Sequence, residues 1–357
     1  MKKFLAMAAS IPLTLLPIPS AQSAETLALK QASVVLDSDG KIFSWGNNFR
    51  LVPGLSTDTN QHSSKPQRVE GTNGFDALSF TEVASNTLMT VALSDSGDVY
   101  VWGSSQDASD YEHIPVSARD ILPDASNSKV DLGGAVIEHI AVSNDYTTIA
   151  IADDGRIFEW GAVFPYDNPD PPASNLTPVQ NLSVSADMVS GAEVVDVQMG
   201  GSYGSAFALV LLDNGQIYGW GDGKQGNLAP LNVPVGFSDS AVPTPILVGE
   251  APGSAKITSV HTHPAATHWF AIADDGAIYG KGNNAHGALG NVEQVLIPTS
   301  DVSSPDFVAL TFEGDLSGKT VSFIKPGANS GSTAIDSDGN LYVWGDDFAD
   351  VTRLGGA

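Results

Sequence analysis

The 357-residue chain contains no cysteine. That absence excludes disulfide bridges, thiolate metal sites, a cysteine nucleophile and a lipidated cysteine anchor, so stability has to come from packing. Basic residues are scarce as well: 16 Lys and Arg stand against 41 Asp and Glu, a formal charge of −25. Such a surface repels phosphate backbones and disfavours a nucleic-acid partner. It suits solubility, or an acidic face for a basic partner. No P-loop and no H-E-x-x-H pair occurs, and neither a nucleophile elbow nor a dinucleotide-binding unit is read from the sequence. No catalytic residue, metal ligand or cofactor is therefore assigned.

Long apolar runs are missing beyond the N-terminus. There, Lys2 and Lys3 precede an apolar stretch over residues 4–18, and Ala21-Gln22-Ser23 supplies the small residues that a signal peptidase requires. Residues 1–23 read as a secretory signal with cleavage before Ala24. Pro12, Pro17 and Pro19 leave the run too short for a transmembrane anchor, so no membrane insertion is expected. The expectation is an exported protein, periplasmic or extracellular, whose residues 24–357 form one domain.

What is present is a ten-residue phrase, DSDGNLYVWG at 336–345, with five earlier copies. These are DSDGKIFSWG, SDSGDVYVWG, ADDGRIFEWG, LDNGQIYGWG and ADDGAIYGKG, ending at Gly46, Gly103, Gly161, Gly221 and Gly282. The closing glycines lie 57, 58, 60, 61 and 63 residues apart, the period of a repeat architecture. Each copy reads strand, tight turn, strand. The turn glycines Gly40, Gly97, Gly155, Gly215, Gly276 and Gly339 supply the positive φ of the reversal. In the second strand, alternation puts an aromatic beside each tryptophan: Phe43 with Trp45, Tyr100 with Trp102, Phe158 with Trp160, Tyr218 with Trp220, Tyr342 with Trp344. Aliphatic side chains occupy the other face, so both faces are covered. That fits blades stacked on one another, with the tryptophans as packing between blades.

The phrase D-G-x-[IVL]-[YF]-x-W-G, followed in copy five by Gly282-Asn283-Asn284-Ala285-His286-Gly287-Ala288-Leu289-Gly290, resembles the regulator of chromosome condensation repeat, a β-propeller family. The resemblance covers about residues 27–357. It implies an all-β propeller of about six four-stranded blades, with seven blades as the alternative. Only 12 residues follow Gly345, so the last blade is expected to be incomplete and closed by the N-terminal strand. Of the family's A-G-x-x-H before the hairpin, only His268 stands at the histidine position, and copy five has Lys281 in place of tryptophan. The founding member's nucleotide exchange on the GTPase Ran and its chromatin binding do not fit an exported acidic chain. Exported bacterial members that inhibit β-lactamases are the nearest functional analogy.

His261-Thr262-His263, with His268 and His286 nearby in sequence, are weighed as metal ligands and read as ordinary strand and loop histidines. The turns beginning at Asp37 and Asp336 resemble the start of a calcium loop but lack the glutamate at its end. Function is expected in the rim loops, which carry Phe164 and Tyr166 in a proline-stiffened connection, Phe237 in another, and His286. Stiff loops with aromatic tips suit docking to a protein. The reading is an exported scaffold that binds a macromolecule, a protein, through loops on one rim. The alternative is an extracytoplasmic hydrolase or lyase with a carboxylate and histidine site in the channel or a rim pocket; three or more such side chains converging would favour it.

Overall fold

A computed structural model describes residues 32–47, 62–70, 75–86, 89–103, 128–144, 147–160, 179–180, 191–201, 206–223, 227–228, 242–290, 303–312, 314–327, 330–345 and 348–355. These residues form six antiparallel sheets. Sheet 1 holds β1 (Ala32–Leu36), β2 (Ile42–Asn47) and β3 (His62–Arg68). Sheet 2 holds β4 (Phe80–Ser85), β5 (Met89–Ser94), β6 (Val99–Gly103) and β7 (Ser128–Lys129). Sheet 3 holds β8 (Ile137–Val142), β9 (Thr148–Ala152), β10 (Ile157–Trp160) and β11 (Val179–Gln180). Sheet 4 holds β12 (Val194–Gly200), β13 (Phe207–Leu212), β14 (Gln216–Gly221) and β15 (Val242–Glu250). Sheet 5 holds β16 (Ile257–His261), β17 (His268–Ala273), β18 (Ile278–Asn283) and β19 (Ser303–Ala309). Sheet 6 holds β20 (Val321–Pro326), β21 (Ser332–Asp336), β22 (Leu341–Gly345) and β23 (Phe348–Gly355).

The sheets stack face to face, and the apolar clusters lie between them. Val34 and Ile42 of sheet 1 pack with Phe80 and Trp102 of sheet 2. Val91 and Leu93, from the other face of sheet 2, pack with Ile140 and Trp160 of sheet 3. Ile149 and Ile151 turn to the opposite face and join a cluster running through sheet 4 to Trp269. Phe270 then meets Trp344 of sheet 6. Alternate residues of one strand thus enter different clusters, as the period of a pleated strand requires when both faces are dry.

Direct bonds reinforce the stacking. The Trp220 indole N–H donates to Glu159 Oε1 of sheet 3 at 2.9 Å, and that of Trp344 donates at 2.8 Å to the carbonyl of Ala288, which follows β18 in sheet 5. His268 Nε2 lies 2.9 Å from Ser332 Oγ, which itself donates to Ala288, so the imidazole N–H is the donor and the chain of bonds ties sheet 5 to sheet 6. In copy five the large residue has changed strands: Trp269 on β17 stands directly opposite Lys281 on β18. Elsewhere the partner opposite tryptophan is small, as with Thr90, Thr148 and Ala208. Trp269 bonds to the Asn227 carbonyl of sheet 4 at 2.8 Å, and the fully buried Lys281 reaches the Val248 carbonyl at 2.9 Å.

Two glycine requirements are steric. At Gly97 (φ 78°) a Cβ would meet Val136 at 2.6 Å, because the turn abuts the start of the next sheet. At Gly282 (φ 109°), the closing glycine of the phrase, it would lie 2.4 Å from the Thr267 carbonyl. The final W-G or K-G thus marks the point where neighbouring strands approach too closely for a side chain.

The three-stranded sheet is the first and not the last. Sheet 6 completes itself because residues 346–347 suffice to connect β22 to the eight-residue β23, where the other copies use long connections. Its order, β20-β21-β22-β23, includes no N-terminal strand among the described residues. The turns that resemble calcium loops also have a structural explanation. Asp37 Oδ1 accepts the backbone N–H of Asp39 and Lys41, and Asp336 Oδ1 accepts those of Asp338 and Asn340. Asp336 Oδ2 takes the Asn340 amide and the Tyr342 hydroxyl, each at 2.8 Å. Both carboxylates close their own turns.

Replacing Trp220 with Phe keeps the ring but strips Glu159 of a buried partner, so urea unfolding should show a loss of about 1–3 kcal/mol. Burial would raise the Asp336 carboxyl pKa, yet the bonds from Asn340, Tyr342 and Asp338 hold it well below the usual range. Its contribution is therefore present above the ordinary carboxylate value and is lost as pH falls through the depressed one. Asp336→Ala should lower the melting temperature by several degrees at neutral pH, and the gap should narrow as the pH is taken below about 4.

Candidate functional site

The first strands of sheets 2 to 6 surround a cavity of about 950 Å³, and Leu36, Asp37 and Ser38 at the end of β1 add to its wall. The strands pack in the order β1, β4, β8, β12, β16, β20. Each of the five from β4 onward carries a bulge at the same place, between Phe80 and Glu82, Ile137 and His139, Val194 and Asp196, Ile257 and Ser259, Val321 and Phe323. A bulge re-aims the side chains beside it. Thr81, Val195, Thr258 and Ser322 are exposed at the cavity wall, Glu138 is exposed and not among the lining residues, and the residue after each is more buried. The result is a ring of Glu82, His139, Asp196, Ser259 and Phe323. Two residues further, Ala84, Ala141, Gln198 and His261 line the next level, with Lys325 at the same register.

Loops between the first and second strands stitch one end of this channel. Asn86 Nδ2 donates to the Ser143 carbonyl at 2.9 Å, Asn144 N–H to Pro264 at 3.1 Å and Gly201 N–H to Ala266 at 2.7 Å. Pro264 lines the cavity, so the segment between β16 and β17 reaches past β12 to sheet 3. The other end carries the hairpin turns; those at Gly40, Gly97 and Gly215 lie against the start of the following sheet, where Phe80 N–H bonds Gly40 O at 2.9 Å and Ile137 N–H bonds Gly97 O at 3.0 Å.

The channel divides electrostatically into two arcs. On sheets 2 to 4, His139 Nδ1 lies 2.9 Å from Glu82 Oε1, and Glu82 Oε2 accepts the Ile140 N–H at 2.8 Å. Gln198 donates to Asp196 Oδ1 at 3.1 Å. Burial works against charge on His139, but the Glu82 bond and charge, then Asp196 and the Val194 backbone, outweigh it and raise the pKa above the ordinary imidazole value. On sheets 5 and 6 the opposite holds. Burial, helped by the nearby Lys325 ammonium, pushes His261 and His263 down to about 4, and burial with His263 takes His268 to about 3. These three are neutral at pH 7. His261 bonds Ser259, His263 Nδ1 accepts the Ala265 N–H, and His268 is committed to Ser332. They do not converge: among the described residues no three His, Asp or Glu side chains are arranged to hold a metal ion.

Of the rim residues expected from sequence, Phe164, Tyr166 and Phe237 lie outside the described residues. His286 is exposed in the short turn Ala285–Gly287, with φ 56°. β10, β14 and β18, from which the connections bearing these four residues leave, all end away from the hairpin turns, on consecutive sheets. The channel ring was missed by sequence reasoning. Its signal is an apolar pair three residues apart, Phe80 and Val83, Ile137 and Ile140, Val194 and Val197, Ile257 and Val260, Val321 and Ile324. That spacing breaks strict alternation and betrays the bulge. Two glycine patterns were also passed over. GGSYG at 200–204 and GDGKQG at 221–226 match the letters of a nucleophile elbow and a dinucleotide fingerprint. Each follows a strand of sheet 4, and the next described element is another strand, so neither has the strand-turn-helix setting those functions need.

Acid sensitivity follows from the second arc. Between the ordinary imidazole value and about 4, an unfolded chain binds protons at residues 261, 263 and 268 that the folded chain refuses, so stability falls as the pH is lowered. The melting temperature should drop from pH 7 to pH 5, and His261→Asn should flatten part of that slope in a thermal melt.

No family model matches the chain. It is 28% identical over 263 residues to the human E3 ubiquitin-protein ligase HERC2, covering 72% of this chain but 5% of that protein. It is 26% identical over 277 residues to the human regulator of chromosome condensation, covering 74% of this chain and 59% of the relative. The chain thus spans less than two thirds of either relative. Among solved structures, Prp20p from Saccharomyces cerevisiae, described with its binding to Gsp1p and histones, superposes with a TM-score of 0.70 at 18% identity, over 92% of this chain and 75% of that one. The recurring phrase, the stacked sheets and these likenesses agree, and the chain is a β-propeller of repeats similar to those of the regulator of chromosome condensation.

Proposed function

We propose that the protein is an exported propeller scaffold that binds another protein through the connections at one end of its sheets. The observation that carries this reading is topological. Short, hydrogen-bonded hairpin turns occupy one end, so the variable connections between third and fourth strands leave at the other, and those with Phe164 and Tyr166, with Phe237 and with His286 come from adjacent sheets. A frame fixed by inter-sheet packing holds such loops at a constant separation, which lowers the entropy lost on docking. Prp20p, of similar fold, is described with protein partners, which supports a binding role without naming the partner here. Export rests on the N-terminal sequence.

A second reading, an extracytoplasmic hydrolase or lyase, draws on the convergence of Glu82, His139 and Asp196 in the channel. Their hydrogen bonds weigh against it. Both Glu82 oxygens are engaged, His139 Nδ1 is held by Glu82, and Asp196 is bonded by Gln198. A general acid or base needs an atom turned to the substrate.

The test is a pull-down from the native extract with residues 24–357, repeated with Phe164→Ala and Tyr166→Ala. Loss of the captured protein in both variants is expected. Unchanged capture would remove the loop assignment, and turnover of a polysaccharide or peptide panel that His139→Gln abolishes would favour the enzyme.

A further inference from the structure

Sheet 1 has three described strands where sheets 2 to 6 have four, and the hairpin phrase shows which three they are. The turn at Gly40 joins β1 to β2 as the turn at Gly97 joins β5 to β6, so β1 stands in the place of a second strand and not of a first. In sheet 2 the edge of β5 away from the hairpin carries β4, with Leu93 opposite Glu82 and Val91 opposite Ala84. The same edge of β1 pairs with no strand among the described residues. Asp37 N–H bonds Lys41 O on the β2 side, so alternation turns the N–H and C=O of Val34 and Leu36 to that edge. Leu36 also lines the channel cavity.

The sequence ahead of β1 does not carry a first strand of the kind seen in the other sheets. There an apolar pair three residues apart flanks the bulge, and its second member stands six residues before the second strand in sheet 2 (Val83 to Met89) and ten in sheet 4 (Val197 to Phe207), the extremes of the set. Counted back from Ala32, the pair would fall within residues 19–26, which contain no Val, Ile, Leu or Phe. The seam beside sheet 1 is also looser than the others. Trp45, on the face of sheet 1 turned away from sheet 2, is half-buried, whereas Trp102, Trp160, Trp220 and Trp344 are at most 4% exposed. Leu341, on the face of sheet 6 turned away from sheet 5, is 38% exposed, against at most 5% for its counterparts Val99, Ile157, Ile217 and Ile278. Among the described residues no apolar cluster joins sheet 6 to sheet 1, which gives an extended segment a way to β1.

We propose that the channel edge of β1 takes an extended segment of another protein as the first strand of sheet 1, by strand addition. Pairing in the register of β4 on β5 sets the chemistry of that segment. The residue opposite Leu36 enters the ring between Glu82 and Phe323, and apolar residues two before it and one after it pack as Phe80 and Val83 do in sheet 2. On the cavity wall Asp37, Glu82, Asp196, Asp213 and Asp274 outnumber Lys256, with Lys325 one level further, so the ring residue is basic. The segment recognised is apolar, any residue, basic, apolar. This contact is separate from the rim loops and does not depend on them.

The probe is a fluorescently labelled synthetic peptide of residues 78–86 carrying Glu82→Lys, titrated into the full chain and followed by anisotropy. It should bind at least about tenfold more tightly than the peptide with the native Glu82. Methylating the backbone nitrogen of its Ala84, which pairs with Val34, should abolish binding, and Phe164→Ala in the protein should leave it unchanged. Amide hydrogen exchange reads β1 directly: Val34 and Leu36 should exchange faster than Val91 and Leu93, and slow when the peptide is added. No binding, equal affinity for the two peptides, binding that survives methylation, or binding lost in Phe164→Ala would each overturn the proposal. So would protection of Val34 and Leu36 before peptide is added, which would give the edge to residues 24–31 or to a second copy of the chain.

Discussion

Sheets 2 to 5 are apolar on both faces, and none of them could persist without a neighbour on each side. Trp102 and Trp160 each lie in a cluster shared with the sheet before them, while Val99, Val101 and Ile157 of the same strands face the sheet after, and Trp344 packs likewise against sheet 5. Burial drives the stacking, but burial is not directional. Orientation comes from the polar ends of the indoles: the N–H of Trp220 finds Glu159, and that of Trp344 finds a carbonyl in the connection after β18 of sheet 5. An indole left without its acceptor in a dry interface costs free energy, so one arrangement of neighbours is favoured over the many that would hide the rings equally well.

Copy five shows that this constraint falls on the pair of strands and not on one position. Lys281 replaces the tryptophan of the phrase, yet the interface keeps an indole because Trp269 stands opposite on β17. Trp269 still donates across to sheet 4, through the Asn227 carbonyl, and stands 5.5 Å from the Phe307 ring. The lysine fills the vacated place with its stem and ends on the Val248 carbonyl, also in sheet 4. Exchanging the large member between two hydrogen-bonded strands preserves both the volume and the polar bridge, which is why a departure from the repeat that looks damaging in sequence leaves the stack intact.

The repeated phrase made the fold legible because it encodes local requirements that do not depend on tertiary context: a turn glycine at positive φ, an alternating strand, and a closing glycine where chains approach. Six copies at a steady period leave little freedom in how they assemble. The channel was not legible by the same route. Its ring residues are chemically unlike one another, Glu82, His139, Asp196, Ser259 and Phe323, and the bulge before each shifts the alternation by one, so a period-two reading assigns them to the wrong face. The end of the chain was misjudged for a related reason. Connection length was taken from the other copies, whereas β22 and β23 need only residues 346–347 between them.

The channel also shows why net charge is a poor guide to a particular site. A chain of formal charge −25 places a lysine beside two histidines on one arc of its cavity and a histidine between two carboxylates on the other. The first arc holds its imidazoles neutral, and the second favours the charged form. Neither follows from composition; both follow from which inner strands stand side by side. Because successive strands of the ring come from successive repeats, a substitution in one repeat changes the electrostatics seen by its two neighbours. The propeller therefore lets a wall residue diverge without altering the packing behind it, where Val83, Ile140, Val197, Val260 and Ile324 remain aliphatic.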